Sequence, residues 1–318
     1  MVDGFAKAVE RCLRSIPEGR VATCGTIAEA LGDRRAAKAV ASWILAHPEA
    51  CGAHRAVRAG GSAILAGAGS RLRTDGIRLR TGRVPAGRLV PALPRTHFLT
   101  RLRQEQLDLA TRVSDRDEVD SLVRIAGVDA SYVGEVACVA TVVCGAADQE
   151  VLEVATTRVP VEFPYIPTYL GYRELPAIES AILRLRVKPD VLLVDGHGRL
   201  HPARCGIACM VGVRLAIPTI GVAKHALTGS PRPQRRTVRD AIPVEIEGET
   251  LGYAWNPPRR ATPLYVSVGH RVSLERALEI VQGCTRNSAP EPIRIADRIA
   301  REMKGVEKRE KGSRGGSA

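Results

Sequence analysis

The chain has 318 residues, 45% of them hydrophobic and 25% charged, which suits a folded globular protein and excludes one too polar to build a core. At that length two domains are expected. No apolar run approaches the ~20 residues that cross a bilayer, and the opening MVDGFAKAVERCL lacks the apolar centre of a signal peptide, so a cytoplasmic chain with no membrane partner is expected.

The net charge of +13 and a pI near 9.8 suit a polyanionic partner. A generally Arg-rich composition with no nucleic-acid role accounts for the same numbers, but the distribution is uneven. Residues 1–94 carry 15 basic and 7 acidic side chains, more than half of the surplus. The eight cysteines form no CxxC pair and no zinc-finger spacing, so buried thiols are expected rather than a metal knot.

In chain order, Thr26-Ile-Ala-Glu29 reads as a capping box that opens a short helix ended by Gly32. Asp33 then caps a second helix, RRAAKAVASWILAH, with Ala36, Val40, Trp43 and Ile44 on one side. Two helices about a tight turn fit a helix-turn-helix, with Arg34, Arg35 and Lys38 placed to neutralise phosphates; an ordinary helix hairpin is the plainer reading of the pattern. VPAGRLVPALPRTHF (84–98) is Pro/Arg-rich and holds the join. The division is a domain over 1–90, a linker over 91–102, a second domain over 103–302 and a disordered basic tail over 303–318.

The second domain opens with three β-branched runs, at 122–133, 136–144 and 150–159, which predict an antiparallel meander. A helix over about 172–186, the buried strand PDVLLVDG, a helix near 204–214 and the strand IPTIGVAK follow. The order predicts an α/β, ribonuclease H-like fold, although order alone leaves other mixed folds open. Asp129 lies on the first strand, Asp195 ends the apolar strand, and Glu174 opens a helix. Carboxylates at strand ends repel one another until a divalent cation intervenes, and oxygen donors without Cys favour Mg²⁺ or Mn²⁺ over zinc. Taken singly, each acid also reads as a turn or surface residue.

The surrounding blocks IAGVDASY, FPYIPTYLGYRELPA, LLVDGHGRLHP, PTIGVAKHALTG, YVSVGHRVSLERAL and PEPIRIADRIA together resemble endonuclease V, in that family's order. The resemblance implies a DNA repair endonuclease that cuts 3′ of deaminated adenine (deoxyinosine), with Mg²⁺ or Mn²⁺, leaving a 5′-phosphate and a 3′-hydroxyl. It implies Asp129, Glu174 and Asp195 as metal ligands, His270 beside the scissile phosphate and Lys224 holding phosphate and water. Pro164-Tyr165-Ile166-Pro167 resembles the wedge that enters the duplex; Gly196 and Gly198 admit the displaced base, and His201 edges its pocket. Thr168, followed by Tyr169 and Leu170, stands where the family usually has Gly, which alters the lesion pocket.

Residues 5–83 resemble the DNA-binding domain of O-6-alkylguanine alkyltransferases, a winged helix-turn-helix, through IPEGRVATCGTIAEALG, the RRAAKAVASWILAHP helix and AHRAV. His54 and Arg55 match the family's His-Arg pair, but Ala53 stands in place of the accepting cysteine, Cys24 of the tyrosine and Lys38 of the arginine. That departure predicts DNA binding, double- or single-stranded, without alkyl transfer. An alkyl-lesion sensor whose second domain only recruits partners, and a ribonuclease acting on inosine in RNA, are the competing expectations.

Overall fold

The computed structural model describes residues 4–233 and 237–314, with side chains in the last helix described as far as Glu307. It forms two compact units. One comprises Met1–Glu105 with Glu162–Pro167, the other Gln106–Val161 with Thr168–Ala318.

The first unit is helical. It contains α1 (Phe5–Arg14), β1 (Ala22–Thr23), α2 (Cys24–Leu31), α3 (Ala37–Ala46), β2 (Ala56–Val57), α4 (Ala68–Thr74) and α5 (Phe98–Ala110) as far as Glu105. α1 presents Phe5, Val9, Cys12 and Leu13 to the interior, four residues within three turns of one face. α2 starts two residues before the capping box expected at Thr26: the Thr23 hydroxyl accepts the Thr26 N–H at 3.0 Å and is the cap. The Glu29 carboxylate pairs with Arg34 at 3.1 Å instead of reaching back. Gly32 ends α2 at φ +113, where an added Cβ would lie 2.3 Å from Thr100 Oγ1, so only glycine fits. Asp33 caps a 3₁₀ turn over Arg34–Ala36 that leads into α3. Val21, Val57, Leu72, Ile77 and Val84 close a small core behind the helices.

The second unit is built on a nine-stranded sheet. β3 (Arg124–Val133), β4 (Val136–Gly145) and β5 (Val151–Pro160) form the expected meander. α6 (Leu170–Ile182), β6 (Val191–Asp195), α7 (Ile207–Leu215) and β7 (Thr219–Ala223) follow, then β8 (Ser230–Pro231), β9 (Ile242–Ile246), β10 (Glu249–Trp255), β11 (Leu264–His270), α8 (Leu274–Gly283) and α9 (Glu291–Arg314). The strands lie in the order β5-β4-β3-β6-β7-β11-β10-β9-β8, with β3, β6 and β7 parallel. The first five strands therefore run 3-2-1-4-5, the ribonuclease H-like arrangement. β6 has buried residues from Val191 to Val194, as a strand covered on both faces must. One core packs α6 and α7 on the sheet; a second gathers Ile220, Tyr253, Val266, Leu278 and Ile293.

The chain end differs from expectation. α9 continues to Arg314 and its Glu307 pairs with Arg158 at 3.4 Å, so residues 303–314 are helical; residues 315–318 lie outside the described ones. No helix among the described residues is long and apolar enough to cross a membrane.

Candidate active site

The parallel pairing of β3 with β6 sets Val128 opposite Val194, so the residues that follow, Asp129 midway along β3 and Asp195 at the end of β6, stand side by side on neighbouring strands. Their charges interact: burial first, then the Asp195 carboxylate, pushes the Asp129 carboxyl up to about 8, far above an ordinary aspartate. The Ala130 N–H donates to Asp129 Oδ1 at 2.7 Å and fixes that side chain. Glu174 sits in the second turn of α6, where burial pushes its carboxyl up to about 7 with a further contribution from Asp195. The Tyr132 hydroxyl donates to Glu174 Oε1 at 2.6 Å and opposes the rise. The Arg173 guanidinium lies 4.4 Å over the Tyr132 ring. Three sequence-predicted carboxylates are thus brought together.

A fourth, in the block PEPIRIADRIA but given no role there, completes the group. Asp297 on α9 stands beside the Asp129 carboxyl and helps to raise its pKa, and its charge is felt by Lys224. Gly127 makes this possible: a Cβ there would lie 2.4 Å from Ile293 N, so only glycine lets the start of α9 sit against β3. Lys224, just past β7, donates from Nζ to Asp195 Oδ2 at 2.5 Å. Burial works against its ammonium, but Asp195, Asp129 and Asp297 together hold its pKa above the ordinary lysine value.

His270 is held through one ring nitrogen. Its Nδ1 accepts the Ser114 N–H at 3.1 Å, which leaves the proton of the neutral ring on Nε2. Burial first, and then Arg271, pull its pKa down; the acid that raises it is Glu118, not a member of the cluster. His201 also has both nitrogens engaged, Nδ1 accepting from Ala203 N at 3.1 Å and Nε2 donating to the Thr168 carbonyl at 3.1 Å. It secures Thr168. Thr168 itself is at φ +71, a conformation that favours glycine and strains a β-branched residue. Gln106 donates to the same Thr168 carbonyl at 3.3 Å and to the Cys205 carbonyl at 2.7 Å. Leu170 opens α6, half-buried.

The glycines have internal reasons. A Cβ on Gly198 would lie 1.9 Å from the Val268 carbonyl oxygen, and one on Gly196 2.5 Å from Ile207. Between them His197 is kept neutral, its pKa pulled down to about 4 by burial.

In the first unit, Tyr165 is 62% exposed while Ile166 is fully buried, and Pro164 and Pro167 flank them. Arg34, Arg35 and Lys38 are exposed around the start of α3, the first two beside Glu29 and Asp33. His54 and Arg55 are engaged within the unit. Both hold Asp75, His54 Nε2 at 3.0 Å and Arg55 Nε at 2.6 Å, and Arg55 also donates to the Ile16 carbonyl. Ala53 is fully buried, whereas Cys51 is exposed.

Residues 107–298 match the family model described as Endonuclease V. The chain belongs to the endonuclease V family. That makes it a metal-dependent nuclease by family. Residues 4–79 match the model for the DNA-binding domain of 6-O-methylguanine DNA methyltransferase, so DNA is a partner. The endonuclease V of Roseiflexus sp. is 41% identical over 203 residues, covering 64% of this chain and 91% of its own. The catalytic domain of human endonuclease V is 33% identical with a TM-score of 0.62, covering 67% of this chain and 98% of its own. The endonuclease V of Ciona intestinalis, solved with a DNA containing an inosine, is 28% identical with a TM-score of 0.58, covering 65% and 98%.

The donor set suits a hard divalent cation: four carboxyl groups, no thiolate, and two of them raised by burial and mutual repulsion, which a cation would relieve. Among the described residues no three such side chains already stand in a coordinating arrangement. Lys224 engages Asp195 Oδ2 and the Ala130 N–H engages Asp129 Oδ1 instead.

Proposed function

We propose that this chain is a DNA repair endonuclease that recognises deoxyinosine and hydrolyses a phosphodiester on its 3′ side, leaving a 5′-phosphate and a 3′-hydroxyl. The observation that carries the reading is the cluster of Asp129, Asp195, Glu174 and Asp297 with Lys224 against it. Asp129, Asp195 and Glu174 are assigned to hold Mg²⁺, for which Mn²⁺ substitutes. A divalent cation bound there supplies water activation and neutralises charge on the leaving 3′ oxygen. Asp297 stands beside Asp129 and positions it; Tyr132 orients Glu174. Lys224 releases Asp195 to hold the phosphate, its charge kept by three surrounding acids. His270, neutral and tied to Ser114 through Nδ1, is assigned beside the scissile phosphate as a donor from Nε2.

Pro164–Pro167 is assigned to base displacement, with the exposed Tyr165 ring stacking where a base was. Gly196, Gly198 and Thr168 shape the receiving loop, with His201 and Leu170 holding it. The domain over 1–90 binds DNA through Arg34, Arg35 and Lys38 and transfers no alkyl group, because Ala53 has no nucleophile; the nuclease domain spans 103–302, and the protein acts in the cytoplasm. RNA carrying inosine is the alternative substrate.

A Mg²⁺-dependent nicking assay tests this on one duplex carrying hypoxanthine, uracil, an abasic site or O-6-methylguanine, with a matched RNA. Selective nicking of the hypoxanthine duplex is expected. Equal nicking of all four, or cleavage of the RNA alone, contradicts the reading.

A further inference from the structure

The loop that carries Tyr165 belongs to the unit built from residues 1–105. Glu162–Pro167 clusters with that unit, although it joins β5 to α6 in sequence. Aromatic rings fasten it. The Phe163 ring lies 6.4 Å from that of Phe5 on α1 and 6.4 Å from that of Phe98, the first residue of α5. Phe5 and Phe98 are themselves 6.3 Å apart at 62°, an edge-to-face pair. These are all three phenylalanines of the chain, and Phe5 and Phe98 are each 4% exposed. Three residues on from Phe163, Ile166 is fully buried as well. Between these two anchors Tyr165 projects, 62% exposed.

We propose that Phe5 and Phe98 are positioning residues for base displacement: through Phe163 they hold the root of the loop so that the Tyr165 ring is presented in one orientation. The inference rests on reading Tyr165 as the displacing ring. A loop without such anchors must be ordered when it meets DNA, and each residue ordered at that moment costs roughly 5- to 30-fold in affinity. A pre-fixed ring avoids this, and two proline neighbours restrict the same backbone further. The consequence is a division of labour. The DNA-holding unit contributes none of the four carboxylates, yet it sets how well the duplex is opened.

The test uses the full chain with Phe163→Ala, Phe5→Ala, Phe5→Leu and Tyr165→Ala, and with each of the first two combined with Tyr165→Ala. Single-turnover nicking is measured on a hypoxanthine duplex and on the same strand left single. Hydrogen exchange is followed over 162–167, and affinity for undamaged DNA reports that the first unit is folded. Phe163→Ala and Phe5→Ala are expected to lower duplex nicking about 10-fold more than single-strand nicking, and to speed exchange in the loop. Phe5→Leu should restore most of the ratio, and neither alanine should add to the duplex defect of Tyr165→Ala. If Phe5→Ala loses affinity for undamaged DNA, Phe163→Ala decides. If Tyr165→Ala lowers the duplex-to-single-strand ratio but the phenylalanine variants do not, the displacing ring stands and the anchor is overturned. If Tyr165→Ala leaves the ratio unchanged, the reading of the ring fails, and this inference with it.

Discussion

Gly198→Ala separates two accounts of the glycines that follow Asp195. If Gly198 is small only to admit a displaced base, the variant should fold normally and nick poorly. The structure gives a different cost. The new methyl would stand 1.9 Å from the Val268 carbonyl oxygen and 2.6 Å from its carbon, both backbone atoms of β11. Relief requires moving a loop whose Gly198 N–H donates to Ser267 Oγ at 2.9 Å and whose Arg199 N–H donates to Val268 O at 2.7 Å. Overpacking costs about 1–3 kcal/mol and each buried hydrogen bond left unmade about 1–3 kcal/mol, so the loss is about 3–5 kcal/mol. For a unit of this size that lowers Tm by roughly 6–20 °C. Differential scanning calorimetry of the full chain measures it, with Gly283→Ala as control. Gly283 lies at the end of α8 with nothing within 4 Å of an added Cβ, and its replacement should stabilise by about 0.5–1 kcal/mol. A Gly198→Ala transition within 2 °C of the parent (roughly 1 kcal/mol or less) would refute the packing argument and return Gly198 to the base.

Asp297→Asn removes the partner of the Asp129 carboxyl and should lower nicking by at least about 10-fold without loss of DNA affinity; parental activity would remove Asp297 from the site. Replacing Arg34, Arg35 and Lys38 together by Ala should flatten the log–log salt dependence of binding by about 0.9 for each phosphate no longer neutralised, read by fluorescence anisotropy, and an unchanged slope would place DNA elsewhere on the unit. Asp75, hydrogen-bonded by Arg55 and also by His54, has its pKa held below the ordinary aspartate value. Its contribution to stability is therefore full above the unfolded aspartate pKa and is lost as pH falls through the lower folded value. Asp75→Asn should accordingly lower the stability of the first unit at neutral pH and reduce its loss on acidification; two superimposable pH–stability curves would count against this.

The strands and their acids were legible because each signal is local. Asp129 and Asp195 interrupt apolar runs whose period and length declare buried strands, and parallel pairing then brings them together. Asp297 was visible only as one acid in a charged helix. Its role depends on Gly127, 170 residues earlier, admitting that helix to the strand, and no periodicity encodes that approach. The partners of the histidines were not legible. His270 and His201 stand in familiar blocks, but only the folded chain shows that the Ser114 N–H meets one nitrogen of His270 and that both nitrogens of His201 are engaged. The same holds for His54 and Arg55, whose partner Asp75 lies about twenty residues further on. The capping pattern at Thr26 was a near miss of a general kind: Thr23 offers the same hydroxyl one turn earlier, and local sequence does not rank the two. Where the loop 162–167 would pack could not be read at all, because Phe5 and Phe98 stand far from it in sequence and single phenylalanines carry no pairing signal.

That buried carboxylates, and not a protein nucleophile, carry out the cleavage is tested most directly by Asp129→Ala. Nicking of a hypoxanthine duplex in Mg²⁺ and affinity for the same duplex are measured on one preparation. Nicking should fall to background while affinity stays within about 3-fold of the parent, a difference of roughly 0.7 kcal/mol. Substantial Mg²⁺-dependent nicking by the variant would contradict the assignment of the cleavage to these carboxylates.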